Sequence, residues 1–367
     1  MDYDLIVIGA GISGLTAAEV VSEKGAAVLV IDRKKKVGSG VSSILWSMDT
    51  VERFLEKVPN RSKWLLNTFK EIHFIPTSGK RININNNIGM SLLDRERLAT
   101  EMAKKAVNNG AEMILGENAV LTPEKDVLVD GRRFSSKIII AADGIASGTM
   151  RSAGVSTTLR DVDVNSLVQY CVAGVEADPS IAELHFGNKI APAGYAWFYP
   201  MDKGIANVGV VARGDSPLKP LQALEHFINT RCPSAQPIYN HAGCYSAHHP
   251  LQPLVKDNIM VVGEAARLTH PLFCNGLYYS ISSGHLAGRI AADVAMNKKD
   301  LSKLNGYQDS IRKAFSKPMK KGYELRDRFS DSSDLEIDRL LKKKIPAFQM
   351  QHSPKGFNKR WWGALRA

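Results

Sequence analysis

The feature that most constrains the fold is a glycine-rich sequence between an apolar run and a helical pattern near the start of the chain. Residues 5–8 are apolar without interruption, as in a strand buried on both faces, and Gly9-Ala-Gly-Ile-Ser-Gly14 follows directly. Residues 12–24 then predict a helix and residues 28–31 a second buried strand that ends at Asp32. Such glycines allow a tight turn and close approach of a pyrophosphate to a helix N-terminus, while the carboxylate can accept ribose hydroxyls. The pattern therefore predicts a dinucleotide-binding βαβ unit.

The rest of the chain contains two kinds of hydrophobic pattern. Its 367 residues, 44% hydrophobic and 23% charged, are typical of a globular protein of about two to three domains. Buried runs at 138–142 and 258–262, and helical patterns at 94–109 and 277–296, resemble the N-terminal unit, whereas alternating segments between 155 and 244 predict an antiparallel sheet. We predict a nucleotide-binding domain at 1–44, 92–154 and 245–300, a substrate domain at 45–91 and 155–244, and a peripheral, basic, helical C-terminal segment at 301–367.

Positive charge is concentrated in the C-terminal segment. The formal net charge is +11, and residues 301–367 contain sixteen basic and seven acidic residues, so they hold nine of those charges. From Lys342 onward seven basic residues and no acidic one are interleaved with Phe348, Phe357, Trp361 and Trp362. Such a tail favours an anionic surface, and tryptophans beside lysines favour a membrane interface over nucleic acid. A disordered, solvated tail is the alternative.

Two kinds of site are excluded by spacing. The four cysteines lie far apart without a C-x-x-C pair, which argues against zinc and against a disulfide framework and fits a reducing cytosol. His248, His249 and His270 have no carboxylate or cysteine at ligand spacing, so we expect no metal.

No segment preceding the first strand is long enough for a signal peptide and no apolar run could span a bilayer, so we expect a cytoplasmic protein that contacts the membrane peripherally.

Further motifs accompany the N-terminal fingerprint. Ala141-Ala-Asp-Gly144 and Val261-Val-Gly-Glu264 each follow a buried run, and Ile190-Ala-Pro-Ala-Gly-Tyr-Ala-Trp-Phe-Tyr-Pro200 precedes Gly204-Ile-Ala-Asn-Val-Gly209. The set resembles the flavoprotein hydroxylase superfamily and, more narrowly, is similar to the geranylgeranyl reductase family over residues 4–44 and 92–300. The resemblance implies an α/β fold, in which an antiparallel-sheet substrate domain is inserted into a Rossmann-type FAD-binding domain. We find no usable resemblance after residue 301.

The resemblance also implies which residues contact FAD. Asp32 would bind the adenosine ribose and Arg95 the phosphates, although Arg95 could instead form a surface salt bridge with Asp94 or Glu96. The Asp-Gly pair at 143–144 could alternatively be only a turn. The full set of expected FAD-binding residues is Gly9, Gly11, Ser13, Gly14, Asp32, Arg95, Ala119, Asp143, Gly144, Gly263, Glu264, Asn275, Gly276 and Leu277.

Departures from the family pattern cluster where flavin and substrate should meet. Glu264 replaces an aspartate, Ser43 replaces the cysteine of an Arg-Cys-Gly motif, and His270-Pro-Leu-Phe-Cys-Asn-Gly276 replaces Asp-Pro followed by three glycines. The expected catalytic residues are Tyr195 and Trp197, which would shape the alkene site, and Ser43 or Cys274, which would pass a proton, as could a bound water. The alternatives are ordinary sheet core for the two aromatic residues and a space-filling role for Cys274.

The resemblance implies an enzyme that saturates C=C bonds of polyprenyl chains attached to a polar head. Such a reaction needs a hydride from reduced flavin at one carbon and a proton at the other, inside a dry apolar tunnel. Electrons could come from NAD(P)H or ferredoxin, and the substrate would be a membrane lipid or a prenylated small molecule. Two alternatives remain at this stage: a flavin monooxygenase or halogenase, and a non-catalytic FAD-binding protein that partners a membrane.

Overall fold

The computed structural model describes residues 1–38, 43–45, 54–85, 90–297 and 299–351. Within these residues the helices are α1 (Ile12–Ser22), α2 (Arg61–Trp64), α3 (Arg95–Asn108), α4 (Gly148–Ser152), α5 (Pro220–Arg231), α6 (Leu277–Met296), α7 (Asn305–Ser330) and α8 (Asp334–Gln351). The strands are β1 (Tyr3–Ile8), β2 (Val28–Asp32), β3 (Ser43–Leu45), β4 (Leu65–Thr68), β5 (Glu71–Ile75), β6 (Ile82–Asn85), β7 (Ser91–Leu93), β8 (Glu112–Leu115), β9 (Ala119–Leu121), β10 (Val127–Val129), β11 (Arg132–Phe134), β12 (Ser136–Ala141), β13 (Val164–Ala173), β14 (Ile181–His185), β15 (Tyr195–Asp202), β16 (Ile205–Arg213), β17 (Gln236–Ser246), β18 (Val255–Lys256) and β19 (Ile259–Val261).

The first sheet has six strands in the order β18-β19-β12-β1-β2-β8 and is parallel except for the β18–β19 pair. Strands β1, β2, β12 and β19 and helices α1, α3 and α6 confirm the elements that the hydrophobic patterns predicted, and their ends lie within two residues of the predicted ones. Asp94 caps α3, because its carboxylate accepts the Arg97 N–H at 2.9 Å. The Rossmann-type α/β fold class is thereby confirmed.

Small residues bring α6 against the start of α1. A Cβ added at Gly284 would lie 2.3 Å from the carbonyl oxygen of Ser13, and one added at Gly288 would lie 2.9 Å from the Val20 Cβ. The many Ala, Ser and Gly residues of α6 therefore permit a close helix–helix contact. This contact holds the start of α1, and with it the glycine-rich turn, at the carboxyl end of β1.

The second sheet has seven strands in the order β17-β13-β16-β15-β14-β5-β6. It is antiparallel, as predicted, except where β14 pairs in parallel with β5. The sequence pattern did not predict β5 and β6. Two three-stranded antiparallel sheets, β11-β10-β9 and β3-β7-β4, complete the described strands. The boundaries of the two domains stay predictions.

The expectation of a peripheral C-terminal segment is wrong for α7 and α8. Along α7 a stripe of apolar side chains at intervals of about four residues is buried, and the Tyr307 hydroxyl donates to the Val261 carbonyl at 2.8 Å. Phe329, Ile337 and Leu341 are also buried, in the cluster that lies under the second sheet. The basic residues lie on the exposed sides of these helices. The high net charge of the segment therefore did not indicate the apolar stripe, which recurs at helical spacing on the buried side.

The end of the C-terminal segment is not among the described residues. Residues 352–367, with Phe357, Trp361 and Trp362, are outside the described residues, as are the side chains of 344–351, which include Phe348. Across the described part of the chain, no helix combines the length and the apolar character that crossing a bilayer requires.

Candidate functional site

A cavity of about 780 Å³ opens where the parallel strands of the first sheet end and faces the second sheet. Most of the residues expected from the sequence to form the site line this one cavity: Gly9, Gly11, Ser13, Asp32, Arg95, Ala119, Asp143, Gly144, Tyr195, Trp197, Glu264, Cys274, Asn275, Gly276 and Leu277. Gly14 and Gly263 lie behind the wall rather than in it. Ser43 belongs to β3, but its side chain is outside the described residues.

The three glycines of the glycine-rich turn have different structural roles. Gly9 has a φ of +112°, and a Cβ there would lie 2.2 Å from the Ala142 carbonyl oxygen. At Gly14 a Cβ would lie 2.1 Å from the Gly9 carbonyl oxygen, so this glycine permits the helix to pack on the turn. Gly11 has an ordinary φ of −77° and no atom within 4 Å of an added Cβ, so it faces open cavity.

The N-terminus of α1 is suited to an anion. Gly11 is its N-cap residue, and no side chain of the described residues caps the first turn. Gly11, Ile12 and Ser13, which begin this turn, line the cavity. The N–H groups at this N-terminus and the helix dipole favour a phosphate or diphosphate. The turn therefore fits the pyrophosphate of a dinucleotide.

Asp32 stabilises the turn and lines the cavity at the same time. Its Oδ2 accepts the Ala10 N–H at 2.7 Å and its Oδ1 accepts the Lys34 N–H at 2.8 Å. Each carboxylate oxygen retains a second lone pair. The residue can therefore accept a ribose hydroxyl without releasing the backbone that it orders.

Asp143 organises the loop on the other side of the turn. Its carboxylate accepts the Ser147 hydroxyl at 2.6 Å and both the N–H and the hydroxyl of Thr149 at 2.9 Å. Gly144 has a φ of +89°, as a tight turn requires. The Asp-Gly pair thus forms a turn and also lines the cavity, and its contact with FAD stays a prediction.

Glu264 connects the two sheets at the cavity wall. Its Oε1 accepts the N–H of Ser246, the last residue of β17, at 2.5 Å, and the Thr269 hydroxyl donates to its Oε2. Desolvation raises the pKa of Glu264 to about 7, although both hydrogen bonds and the Arg95 charge oppose this shift. The carboxyl group therefore titrates near neutral pH.

Arg95 faces Glu264 rather than its neighbours in sequence. Desolvation lowers the pKa of the guanidinium, and the Glu264 charge counteracts that change. Asp94 instead pairs with Arg97, at 3.3 Å. The Gly263 N–H donates to the Ser283 hydroxyl at 3.0 Å, and the missing side chain of Gly263 leaves room for Ser13. The expected contact of Gly263 with FAD stays a prediction.

An aromatic row forms the wall supplied by the second sheet. Tyr195, Trp197 and Tyr199 project from one face of β15, with ring centroids 5.9 Å apart for the first pair and 6.1 Å for the second. All three line the cavity and are also part of a buried apolar cluster. The role of Tyr195 and Trp197 in shaping an alkene site stays a prediction. Burial raises the pKa of Tyr195 and Tyr199 well above 10, so both remain neutral phenols.

Cys274 lies beside this row in a left-handed backbone conformation, with a φ of +57°. Its thiol donates to the Leu272 carbonyl at 3.2 Å, and the Tyr245 hydroxyl contacts its sulfur. Burial raises the pKa of the thiol to about 12, so it keeps its proton at neutral pH. Sequence reasoning missed Tyr245; only the inward alternation at the end of β17 could have indicated it.

The histidines that could have suggested a metal have other partners. His248 interacts with the Arg267 guanidinium at 3.2 Å, and the His249 ring lies 4.1 Å from that of Tyr323. Among the residues that can be described, no group of three or more His, Cys, Asp or Glu side chains could hold a metal ion.

Comparisons with known proteins place this geometry in a class. The family model for the geranylgeranyl reductase catalytic domain matches residues 163–244, and that for an NAD(P)-binding Rossmann-like domain matches residues 7–52. The structure of a geranylgeranyl bacteriochlorophyll reductase-like protein from Thermoplasma acidophilum superimposes with a TM-score of 0.87 at 24% identity, covering 99% of this chain and 98% of that one. The chain therefore has the fold of this class of reductase-like proteins.

Two curated relatives narrow the class to a family. Digeranylgeranylglycerophospholipid reductase 2 of Methanothermobacter thermautotrophicus is 30% identical over 357 residues, covering 93% of this chain and 91% of the relative. The digeranylgeranylglycerophospholipid reductase of Methanosphaerula palustris is 28% identical over 360 residues, covering 92% and 89%. The chain belongs to the geranylgeranyl reductase family. Because the match covers so much of the chain, it extends past residue 301, where the sequence motifs alone showed no resemblance.

Proposed function

We propose that the protein is an FAD-dependent reductase that saturates C=C bonds in geranylgeranyl chains of membrane lipids or of a prenylated small molecule. The observation that carries this proposal is the single cavity in which a dinucleotide-binding turn meets an aromatic, largely apolar wall, in a member of the geranylgeranyl reductase family. A polyprenyl chain is apolar and long, and the rings of Tyr195, Trp197 and Tyr199 offer it an apolar surface.

The cavity has residues suited to each part of FAD, from the adenine to the flavin. The free N–H groups of the α1 N-terminus suit its diphosphate, and Asp32 suits a ribose. Arg95 adds positive charge to the same space, and the backbone of Ala119 would border the adenine. Glu264 and the segment 275–277 would lie along the flavin end. When bound and reduced, the flavin supplies the hydride equivalent for the reduction.

The protein's own side chains would orient the alkene and exclude water. Tyr195 and Trp197 are each only 7% exposed, so a chain seated against them leaves little room for solvent. The candidates that we propose for donating the proton to the second carbon are Ser43, Cys274 and a bound water; the Cys274 thiol is protonated at neutral pH because burial raises its pKa.

We further propose that the substrate is delivered at the cytoplasmic face of a membrane. The seven basic residues from Lys342 onward and the aromatic residues among them support binding to anionic lipid. The described part of α8, which carries exposed Lys342 and Lys343, leads directly to this tail. The electron donor that we propose is NAD(P)H or ferredoxin.

The proposal is tested under anaerobic conditions. The purified protein is loaded with FAD, reduced chemically and mixed with vesicles of geranylgeranylated glycerophospholipid, while flavin absorbance is followed. Reoxidation of the flavin by this lipid, and not by the fully saturated phytanyl lipid as the matched control, is the expected result. Flavin that stays reduced with both lipids would refute the reductase assignment.

A further inference from the structure

The register of the second sheet places the indole of Trp197 across a glycine of the next strand. Trp197 on β15 is paired with Gly209 on β16. A Cβ added at Gly209 would lie 2.1 Å from Cζ2 of the indole and 2.7 Å from its Cη2. The ring therefore occupies the space that any side chain at position 209 would need.

A hydrogen bond holds the other edge of the ring. The indole Nε1–H of Trp197 donates to Oδ1 of Asn207 at 2.7 Å, and Asn207 is only 1% exposed. Asn207 and Gly209 are two residues apart and so lie on the same face of β16. Because the amide oxygen accepts the indole N–H, the carboxamide is fixed with its Nδ2 away from the indole; that Nδ2 has no partner among the described residues.

The position of the indole matters for the shape of the cavity. Its ring lies nearly parallel to that of Tyr199, at an interplanar angle of 21°, and both rings line the cavity. On the side of β16 the indole has no room to move, whereas the cavity in front of it is open. Any change that forces the ring away from β16 will therefore move it into the space available to a ligand.

We propose that Asn207 and Gly209 are positioning residues that hold the Trp197 indole flat against β16 and thereby set the width of the apolar part of the cavity for a chain-like substrate. The proposal gives a role to the Gly204-Ile-Ala-Asn-Val-Gly209 sequence, which the expected FAD contacts and catalytic residues leave unassigned. It rests on the proposed function for the identity of the chain, but the placement of the ring can be measured without any substrate.

The test compares two single variants in two backgrounds. Gly209→Ala puts a methyl group where the ring lies, and Asn207→Leu removes the acceptor of the indole N–H. In protein labelled with fluorotryptophan, the fluorine resonance of Trp197, assigned by its loss in Trp197→Ala, should shift in both variants. In the FAD-loaded enzyme each variant should raise KM for the geranylgeranyl lipid by about tenfold with a smaller change in kcat.

The same substitutions in a Trp197→Ala background distinguish positioning from general destabilisation. Trp197→Ala removes the three atoms that lie nearest to the added methyl group of Gly209→Ala, so we expect that substitution to add less than about twofold to the KM of Trp197→Ala. Gly306→Ala is the matched control, since a Cβ there has no atom within 4 Å. It should leave both the resonance and KM unchanged.

Three results would overturn the inference. The first is a Trp197 fluorine resonance that does not shift in Gly209→Ala and Asn207→Leu. The second is an increase in KM that is as large in the Trp197→Ala background as in the wild type. The third is a shift of the resonance and of KM in Gly306→Ala that equals the shift in Gly209→Ala. If Gly209→Ala does not fold, folding of the double variant with Trp197→Ala supports the clash, and failure of the double variant contradicts it. A wild-type enzyme that reduces no prenyl lipid refutes the proposed function, whereas the fluorine measurement still decides the placement of the ring.

Discussion

Replacing Glu264 by glutamine should change how the stability of the protein depends on pH. The folded-state pKa of Glu264 is raised to about 7 from an ordinary value of 4.5, because desolvation outweighs the donors Ser246 and Thr269 and the charge of Arg95. A carboxyl group with a raised pKa binds more protons in the folded state than in the unfolded one. Its protonation therefore stabilises the fold fully below pH 4.5, and this stabilisation is lost as pH rises through 7.

The magnitude follows from the size of the shift. Each pKa unit corresponds to about 1.4 kcal/mol, so a displacement from 4.5 to about 7 amounts to about 3–4 kcal/mol. The Glu264 side chain is only partly shielded, because it lines an open cavity, and we take this figure as an upper limit. The glutamine of Glu264→Gln would keep an oxygen for the Ser246 N–H and would carry no charge. The free energy of unfolding of Glu264→Gln should thus exceed that of the wild type at pH 8 and match it near pH 4.5.

Urea unfolding of the FAD-free protein between pH 4.5 and 8 measures this difference. The comparison uses the wild type, Glu264→Gln and, as a matched control, Glu117→Gln, because Glu117 is an exposed carboxylate on the described surface. The change in the free energy of unfolding caused by Glu117→Gln is subtracted from that caused by Glu264→Gln at each pH. This subtraction removes the general effect of replacing one carboxylate by an amide. The account of Glu264 predicts that Glu264→Gln is more stable than the wild type at pH 8 and that this advantage disappears towards pH 4.5. An advantage that is the same at both pH values, or that is larger at pH 4.5 than at pH 8, would refute it.

Three further variants test the cofactor site and the tail. Gly11→Val should fold with a stability within about 1 kcal/mol of the wild type yet purify without flavin, because its side chain enters open cavity; retained flavin would contradict this. Gly14→Ala should lower the free energy of unfolding by about 1–3 kcal/mol in urea titrations, since its Cβ meets the Gly9 backbone; unchanged stability would exclude the close contact. Truncation before Lys342 should weaken sedimentation with anionic vesicles, and the difference should shrink at high salt; equal sedimentation would remove the tail from membrane binding.

The sequence predicted what depends on local signals. The strand, glycine-rich turn and helix of the N-terminal unit lie within 32 residues, and their hydrophobic runs and turn chemistry indicate both the fold and the phosphate site. The same holds for α6, whose predicted ends, Leu277 and Met296, are those observed. The row at Tyr195 and Trp197 was also predicted, because alternate residues of a strand share one face.

What depends on contacts between distant segments was not predictable. The parallel pairing of β14 with β5 joins segments about a hundred residues apart, and no local pattern encodes it. The contact between Tyr245 and Cys274 and the placement of Trp197 over Gly209 both require the register of neighbouring strands. For α7, a strongly basic composition hid an apolar stripe that only tertiary packing displays.

The measurement that tests the central claim most directly is the mass of the product formed with oxygen present. The FAD-loaded enzyme is supplied with a reductant, air and geranylgeranylated glycerophospholipid, and the lipid is analysed by mass spectrometry. A reductase predicts a lipid that gains two hydrogen atoms for each double bond reduced and no oxygen. A lipid that gains an oxygen atom while its double bonds persist would contradict the account and assign the cavity to a monooxygenase.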